Sequence, residues 1–459
     1  MDKVKEKYIY YILGVLTLLF FLFGQGVMWY AMGGDSEAYY TNFGHHIEAK
    51  PFYPLLLHVL NLILGDRLYL YAASVLQMLL AVFCIIILIS TIARYLELES
   101  FSIVIIWLAS LFPFYLLLPE DPIPHVLMTE SLTYPLLYFY TAILLKAIWD
   151  KNEKLYYISI LMAIFMTLIR GQMLFLIAVS ILSYGYYLLK NKNKLWKAGL
   201  FLLFTMLSVL VEGSLTAGYE KFFFDAPRQD YSAQTLVQKA LFCADENNTD
   251  LFSDEIEKEI FEKTYKGMME QESTYQFTTG DLWDWKHTTG SFGANSYLVQ
   301  DVIEEVLKEK GAWPEDEIEQ ENQVLYYSRQ LSSKLLRENW KRCLSVSIRM
   351  MPAGFVSTVL MHKESVYGLI HLATLLLYLF MIAGSILISK WAGQIIKESE
   401  YIWLVIVIAV INVVSANLIH FGLQRYLAYT VGLFYTGGYL MLRRLLLMWK
   451  KRRNVVSER

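Results

Sequence analysis

YIYYILGVLTLLFFLFGQGVMWYAMGGDSEAYY, residues 8–40, decides the fold. The run from Tyr8 to Trp29 carries no charged residue, and a bilayer-crossing helix needs about 20 apolar residues. Asp35 and Glu37 therefore emerge where the membrane ends. Ionisable groups held at the rim of a membrane bundle are costly to keep there and mark function.

The rest of the chain repeats this pattern. Of 459 residues, 56% are hydrophobic and 18% charged, with a mean hydropathy of +0.38. The apolar residues fall in blocks, which excludes an ordinary soluble domain. Hydropathy places about ten spans, near 8–30, 67–93, 101–118, 127–148, 155–169, 172–189, 195–212, 366–389, 401–421 and 425–447. The expected fold is an all-α polytopic membrane protein with one mixed, mainly helical external domain. The first span is longer than a signal-peptide core and has no small-residue cleavage site behind it, so it reads as a retained helix.

Lysine and arginine in the short loops set the orientation. Lys3, Lys5 and Lys7, then Lys146, Lys151 and Lys154, then Lys190, Lys192, Lys194 and Lys197, then Lys390 and Lys397, and finally Arg443, Arg444 and the 450–453 tail all fall on one side of a ten-span arrangement. Both termini are thus expected in the cytoplasm of a bacterial plasma membrane. The GDSE loop, Arg170, Arg425 and segment 213–350 are expected outside. The expected division is 1–212 as an N-terminal bundle, 213–350 as the external domain and 351–459 as a C-terminal bundle with a basic tail.

Within the external segment, SDEIEKEIFEKTYKGMMEQE (253–272) has helical spacing with Ser253 placed as N-cap, and LVQDVIEEVLKEKG (298–311) is an amphipathic helix closed by Gly311. The stretch 277–297 reads as loop. Residues 323–351 form a long helix whose Arg337, Lys341, Arg342 and Arg349 beside Trp340, Leu344 and Ile348 suit a membrane surface. Cys84, Cys243 and Cys343 make neither a disulfide framework nor a metal site, although Cys243 and Cys343 share one segment.

Acids and arginines gather at the outer ends of the spans: Asp35 and Glu37, Glu120 and Asp121, Glu130, Arg170 with Gln172, and Arg425. Span interiors hold almost no charge, which argues against an ion pathway at mid-depth. A carboxylate at such a rim can take the proton of an attacking hydroxyl. Arginines beside it can hold the charge of a departing phosphate. A lipid-linked phosphate would lay its tail among the spans and its headgroup at this rim.

GDSE at 34–37, KPFYPLLLHVLNLILGD at 50–66, MTESLTYPLLYF at 128–139, LIRG at 168–171 and QRYLAY at 424–429 together resemble the membrane-embedded GT-C glycosyltransferases. The likeness is to the branch of dolichyl-phosphate-mannose protein mannosyltransferases and lipid A aminoarabinose transferases. It covers the first 190 residues best, the last 40 weakly and the external segment not at all. The resemblance implies Asp35 as catalytic base and Glu130 as an acid near the donor or acceptor sugar. It implies Glu37, Arg170, Arg425 and Tyr426 as substrate-binding residues, the arginines on the lipid phosphate. Some family members hold a divalent metal on the acidic pair, here Asp35 and Glu37; no other cofactor is expected. The expected partners are a polyprenyl-phosphate-linked sugar and a glycan, lipid or protein acceptor, with no nucleic acid.

Each residue also has a plainer role open to it. Asp35 suits a solvated loop, Glu130 suits the N-terminal turn of its span, and Arg170 and Arg425 suit interfacial anchors, though outside arginines run against the positive-inside trend. The expected activity is an inverting sugar transfer at the outer face. The alternatives are a carrier or flippase for lipid-linked sugars, or a surface-polysaccharide polymerase.

Overall fold

The computed structural model describes residues 3–23, 30, 36, 39, 50–116, 123–192, 196–224, 232–277, 285–360, 368–419 and 424–457. Among them every regular element is helical: α1 Lys3–Phe23, α2 Phe52–Leu64, α3 Tyr69–Leu96, α4 Ser100–Leu116, α5 Glu130–Trp149, α6 Glu153–Ile169, α7 Phe175–Lys190, α8 Trp196–Phe224, α9 Ser232–Phe242, α10 Glu255–Glu270, α11 Trp285–Glu309, α12 Glu317–Ser357, α13 Gly368–Ala392, α14 Lys397–Ile419, α15 Gln424–Leu427 and α16 Val431–Ser457. Six of the described helices are long and apolar enough to cross a bilayer: α3, α5, α7 with the turn before it, α8, α13 and α14. Helices also occupy the other four expected spans, at α1, α4, α6 and α16. The chain is an all-α integral membrane protein.

Helix α5 is the central post. It is the least hydropathic of the six, yet 89% of its apolar window is buried. A helix surrounded by protein can carry polar groups that lipid would not satisfy. Accordingly the Tyr140 hydroxyl donates to the Leu176 carbonyl (2.7 Å) and Tyr138 to Ser110 O (3.1 Å). Helix α8 is the opposite case, with only 22% of its window buried. Leu203, Met206, Leu210 and Val211 stand exposed along it, as lipid-facing residues would. Helices α4, α5 and α16 approach one another closely at Gly432 in α16. A Cβ there would lie 2.2 Å from the Tyr138 hydroxyl and 2.8 Å from the Ala109 carbonyl oxygen.

Between α8 and α13 a second apolar core forms from Val237, Leu241, Ile260, Phe261, Ile303, Val306 and Leu331, among others. Three local expectations shift here. The cap of α10 is Asp254, not Ser253: its carboxylate accepts from the backbone N–H of Ile256 (2.9 Å) and Glu257 (3.0 Å), two orphan donors of the first turn. Helix α11 begins at Trp285, well inside the stretch read as loop. Packing overrides its Gly- and Thr-rich composition: Asn295 is fully buried and exchanges hydrogen bonds with Ser273 (2.7 and 3.0 Å). The long α12 bends at Asn339, whose backbone leaves the helical region. Gly311 ends α11 in left-handed conformation, as its position suggests.

The basic and apolar end of α12 presents Trp340, Leu344 and Ile348 to the outside, all more than 40% exposed. Cys243 and Cys343 are free thiols in contact with each other, both buried. Beside them Lys239 donates to Ser347 Oγ and to the carbonyls of Asn417 (2.7 Å) and Leu418 (2.8 Å) at the end of α14. Burial pulls the Lys239 ammonium down to about 8.

Candidate functional site

The site lies at the end of the bundle where α5 begins and α6 and α14 end. The approach to α5 is held from below. Tyr53 donates to Gln77 Oε1 (2.6 Å), and Gln77 Nε2 donates to the carbonyls of Pro124 (2.9 Å) and Val126 (3.1 Å). Ser131 ties back to the Ile123 and Val126 carbonyls, and His125 Nε2 bonds the Phe21 carbonyl. A loop pinned at so many points fixes where Thr129 and Glu130 point.

Arg170 follows α6 in extended conformation (φ −151°, ψ 119°), which ends the helix and turns the side chain across to α5. Its Nη1 donates to Glu130 Oε2 at 2.8 Å and to Thr129 Oγ1 at 2.7 Å, and the Thr129 hydroxyl donates to Glu130 Oε2 (3.1 Å). Its Nε faces Gln172 Oε1 at 3.3 Å, and the guanidinium lies over the Tyr426 ring at 4.6 Å. The Glu130 side chain is 4% exposed and that of Arg170 12%. Gln172 passes the contact on: its Nε2 donates to the Tyr426 carbonyl (2.6 Å) and to Asn412 Oδ1 (3.1 Å), while Asn412 Nδ2 reaches the same carbonyl (2.9 Å). Behind them Tyr429 stacks on Tyr134 with centroids 3.9 Å apart. Residues 129–130, Gln172 and Tyr426 thus meet one guanidinium, with Asn412 bracing the last two.

Arg170 opens onto a cavity of about 470 Å³, shared with Tyr39, Lys50, Thr129, Gln172 and Tyr426 on its polar side and with Ile169, Phe175, Ile411 and Ile419 on its apolar side. Lys50 brings a second cation, held by Glu212 of α8 at 2.9 Å. Glu212 is itself 8% exposed, an acid that follows a run of apolar residues in α8.

Of the residues singled out from the sequence, Glu130, Arg170 and Tyr426 come together here. Glu130 touches Arg170 and is not among the residues lining the cavity. Asp35 and Glu37 lie outside the described residues, as does the side chain of Arg425; the helix of Arg425 is described, at Gln424–Leu427. Tyr39, in the same first loop, lines the cavity. Among the described residues no three His, Cys, Asp or Glu side chains gather as a metal site, and the Asp35–Glu37 pair is not among them.

Sequence reasoning assigned nothing to Lys50, Glu212, Thr129 or Asn412. Lys50 stands on the outer side of the expected topology, against the positive-inside trend, which is the same signal that drew attention to Arg170. Glu212 and Asn412 are polar residues within apolar helices, a signal in their own right.

No protein-family model matches this chain, and no curated protein does. Among solved structures, the crystal structure of ArnT from Cupriavidus metallidurans bound to undecaprenyl phosphate is similar: it is 14% identical, the match covers 94% of this chain and 77% of that one, and the TM-score is 0.34. No residue's role rests on that likeness.

Proposed function

We propose that this protein is a membrane glycosyltransferase that takes a sugar from a polyprenyl-phosphate donor and passes it to a hydroxyl acceptor at the outer face. One observation carries the reading: two cations from different elements, Lys50 and Arg170, line one cavity that also has an apolar wall of Ile169, Phe175, Ile411 and Ile419. That combination suits a phosphate bearing an isoprenoid tail. Each cation is backed by a buried carboxylate, Glu212 or Glu130, which fixes its position without using all its donors. A guanidinium has five N–H donors. Among the described residues Thr129, Glu130 and Gln172 engage three of Arg170's, and its Nη2 remains for a phosphate oxygen.

In this reading Asp35 takes the proton of the acceptor hydroxyl as its oxygen bonds to the anomeric carbon. The bond from that carbon to the phosphate oxygen breaks on the opposite face, so the configuration inverts. Lys50 and Arg170 stabilise the phosphate as its charge grows. Tyr426 and Gln172 hold the Arg170 guanidinium in place, and Arg425 lies one residue away in sequence to reach the same lipid phosphate. The divalent metal that the family resemblance associates with an acidic pair enters no step here.

The test is transfer of radiolabel from a panel of polyprenyl-phosphate sugars to envelope extracts in reconstituted vesicles. Wild type should transfer label, and Asp35→Asn should lose transfer by about 100-fold or more while remaining folded. Near-normal transfer by that variant would remove Asp35 as the base. Movement of labelled lipid across the bilayer with no transfer from any donor would replace the enzyme with a carrier.

A further inference from the structure

The opposite end of the bundle holds a second built cavity, about one helix length of α5 away, or roughly 30 Å for 20 residues. It measures about 390 Å³ and lies among the end of α3, the end of α5, the end of α7, the start of α14 and Arg444 of α16. Lys151, Lys190, Lys397 and Arg444 all face it. Its carboxylates are Glu97, Glu398 and Glu400. Two of these are already met. Glu400 accepts from Lys190 and from the Tyr186 hydroxyl (2.9 Å), and Glu398 lies 3.7 Å from Arg444. Lys397 donates instead to the Tyr95 carbonyl (3.1 Å), and Lys151 has no acceptor among the described residues. Behind this wall the Trp149 indole N–H and Arg444 Nε are buried with no acceptor among the described residues. Four cations against three carboxylates leave the lining net positive, which suits an anionic, acceptor-rich ligand.

A second hollow of about 350 Å³ adjoins it and shares Ile148, Ile395 and Glu400 with it. This one is apolar, running between α7 and α14 along Leu182, Ser183, Trp403 and Val407. Leu182 and Trp403 are at least 40% exposed, so the hollow opens sideways, where a membrane protein meets lipid.

We propose that cavity and groove together bind a glycerophospholipid of the leaflet at that end. Its phosphate oxygens accept from Lys151, Lys397 and the Arg444 guanidinium, and one acyl chain lies in the groove beside Trp403. The proposal is independent of the sugar-transfer reading, because it uses none of the residues of that site.

The experiment is native mass spectrometry of the full chain in detergent with added phosphatidylglycerol, diacylglycerol of the same chains, or sn-glycerol 3-phosphate. Wild type should retain one phosphatidylglycerol that Lys151→Gln/Lys397→Gln weakens by about fivefold per cation removed. Neither lysine is paired with a carboxylate among the described residues, so the double variant keeps the observed ion pairs. Ser183→Phe, which fills the groove, should also weaken the phospholipid. Equal retention of diacylglycerol and phosphatidylglycerol, or no effect of either variant, would overturn the proposal. Binding of glycerol 3-phosphate as tightly as the phospholipid would overturn it in favour of a site for a free anion.

Discussion

Removing the charge of Glu130 tests both the ion pair and the phosphate that Arg170 is proposed to hold. In Glu130→Gln a guanidinium that is 12% exposed loses its carboxylate at 2.8 Å. Breaking a fully buried pair costs about 3–5 kcal/mol. Arg170 keeps Thr129, Gln172 and the Tyr426 ring and borders a cavity, so a cost of about 2.5 kcal/mol is the reasonable figure on that scale. Arg170→Met leaves the carboxylate buried instead, at about the same cost. The double variant leaves no buried charge and should lose only about 2 kcal/mol, which makes the coupling about 3 kcal/mol. Unfolding in mixed micelles, followed by tryptophan fluorescence, measures all four corners of the cycle. The same proteins should then be titrated with polyprenyl phosphate. Glu130→Gln removes the anion that competes for Arg170, so its affinity should rise about tenfold, while Arg170→Met should lose binding. Additive single-variant losses would refute the pair as a stabilising unit. Weaker or unchanged phosphate affinity in Glu130→Gln would refute the placement of the phosphate on Arg170.

Lys50→Met should weaken polyprenyl phosphate by at least tenfold, since a charge-assisted hydrogen bond is worth about 1.5–3 kcal/mol; adding Glu212→Gln should restore stability but not binding, and binding restored by that change would place the defect in folding. Gly432→Ala should cost about 1–3 kcal/mol in stability, because the new methyl meets the Ala109 backbone carbonyl at 2.8 Å; an unchanged unfolding midpoint would show that α4 and α16 can separate. Glu321 on α12 has its carboxyl pushed up from 4.5 to about 7 by burial and by Glu317. The folded chain therefore binds more protons than the unfolded one across that window, and stability falls as pH rises through it. Glu321→Gln should match wild type below pH 4 and exceed it above pH 7, by about 1 kcal/mol once solvent screening is allowed for; a difference that does not change with pH would refute the cause.

The bundle was legible because a span needs a long run of apolar residues and nothing else in this chain resembles one. Its centre was not. Helix α5 looks like the weakest span by hydropathy, yet it is the most buried of the six, and Tyr138, Tyr140 and Thr133 find partners on neighbouring elements. At the site, Glu130 and Arg170 were each visible as an ionisable group at a rim, but their pairing was not. They are 40 residues apart, and a sequence shows which groups are costly without showing which groups neutralise them. Lys50 opens the KPFYPLLLHVLNLILGD stretch, and nothing local shows its task, since its partner Glu212 lies 162 residues away. In the segment between α8 and α13 the errors were local. Ser253 and Asp254 are both good caps, and the choice between them depends on one residue of register. Asn295, inside the stretch read as loop, is buried against Ser273, a contact that no helical periodicity contains.

The reach of Lys239 across the chain bears on how the protein is made. Its ammonium ends on the carbonyls of Asn417 and Leu418, 178 and 179 residues later. Synthesis delivers Lys239 long before those carbonyls exist, and a buried ammonium without acceptors is expensive. The lobe built on α9 therefore cannot close onto the bundle until α14 has been threaded into the membrane. A chain truncated before residue 397 would carry an exposed, unfinished surface. That surface is the kind of mark by which membrane quality control distinguishes an incomplete product from a finished one.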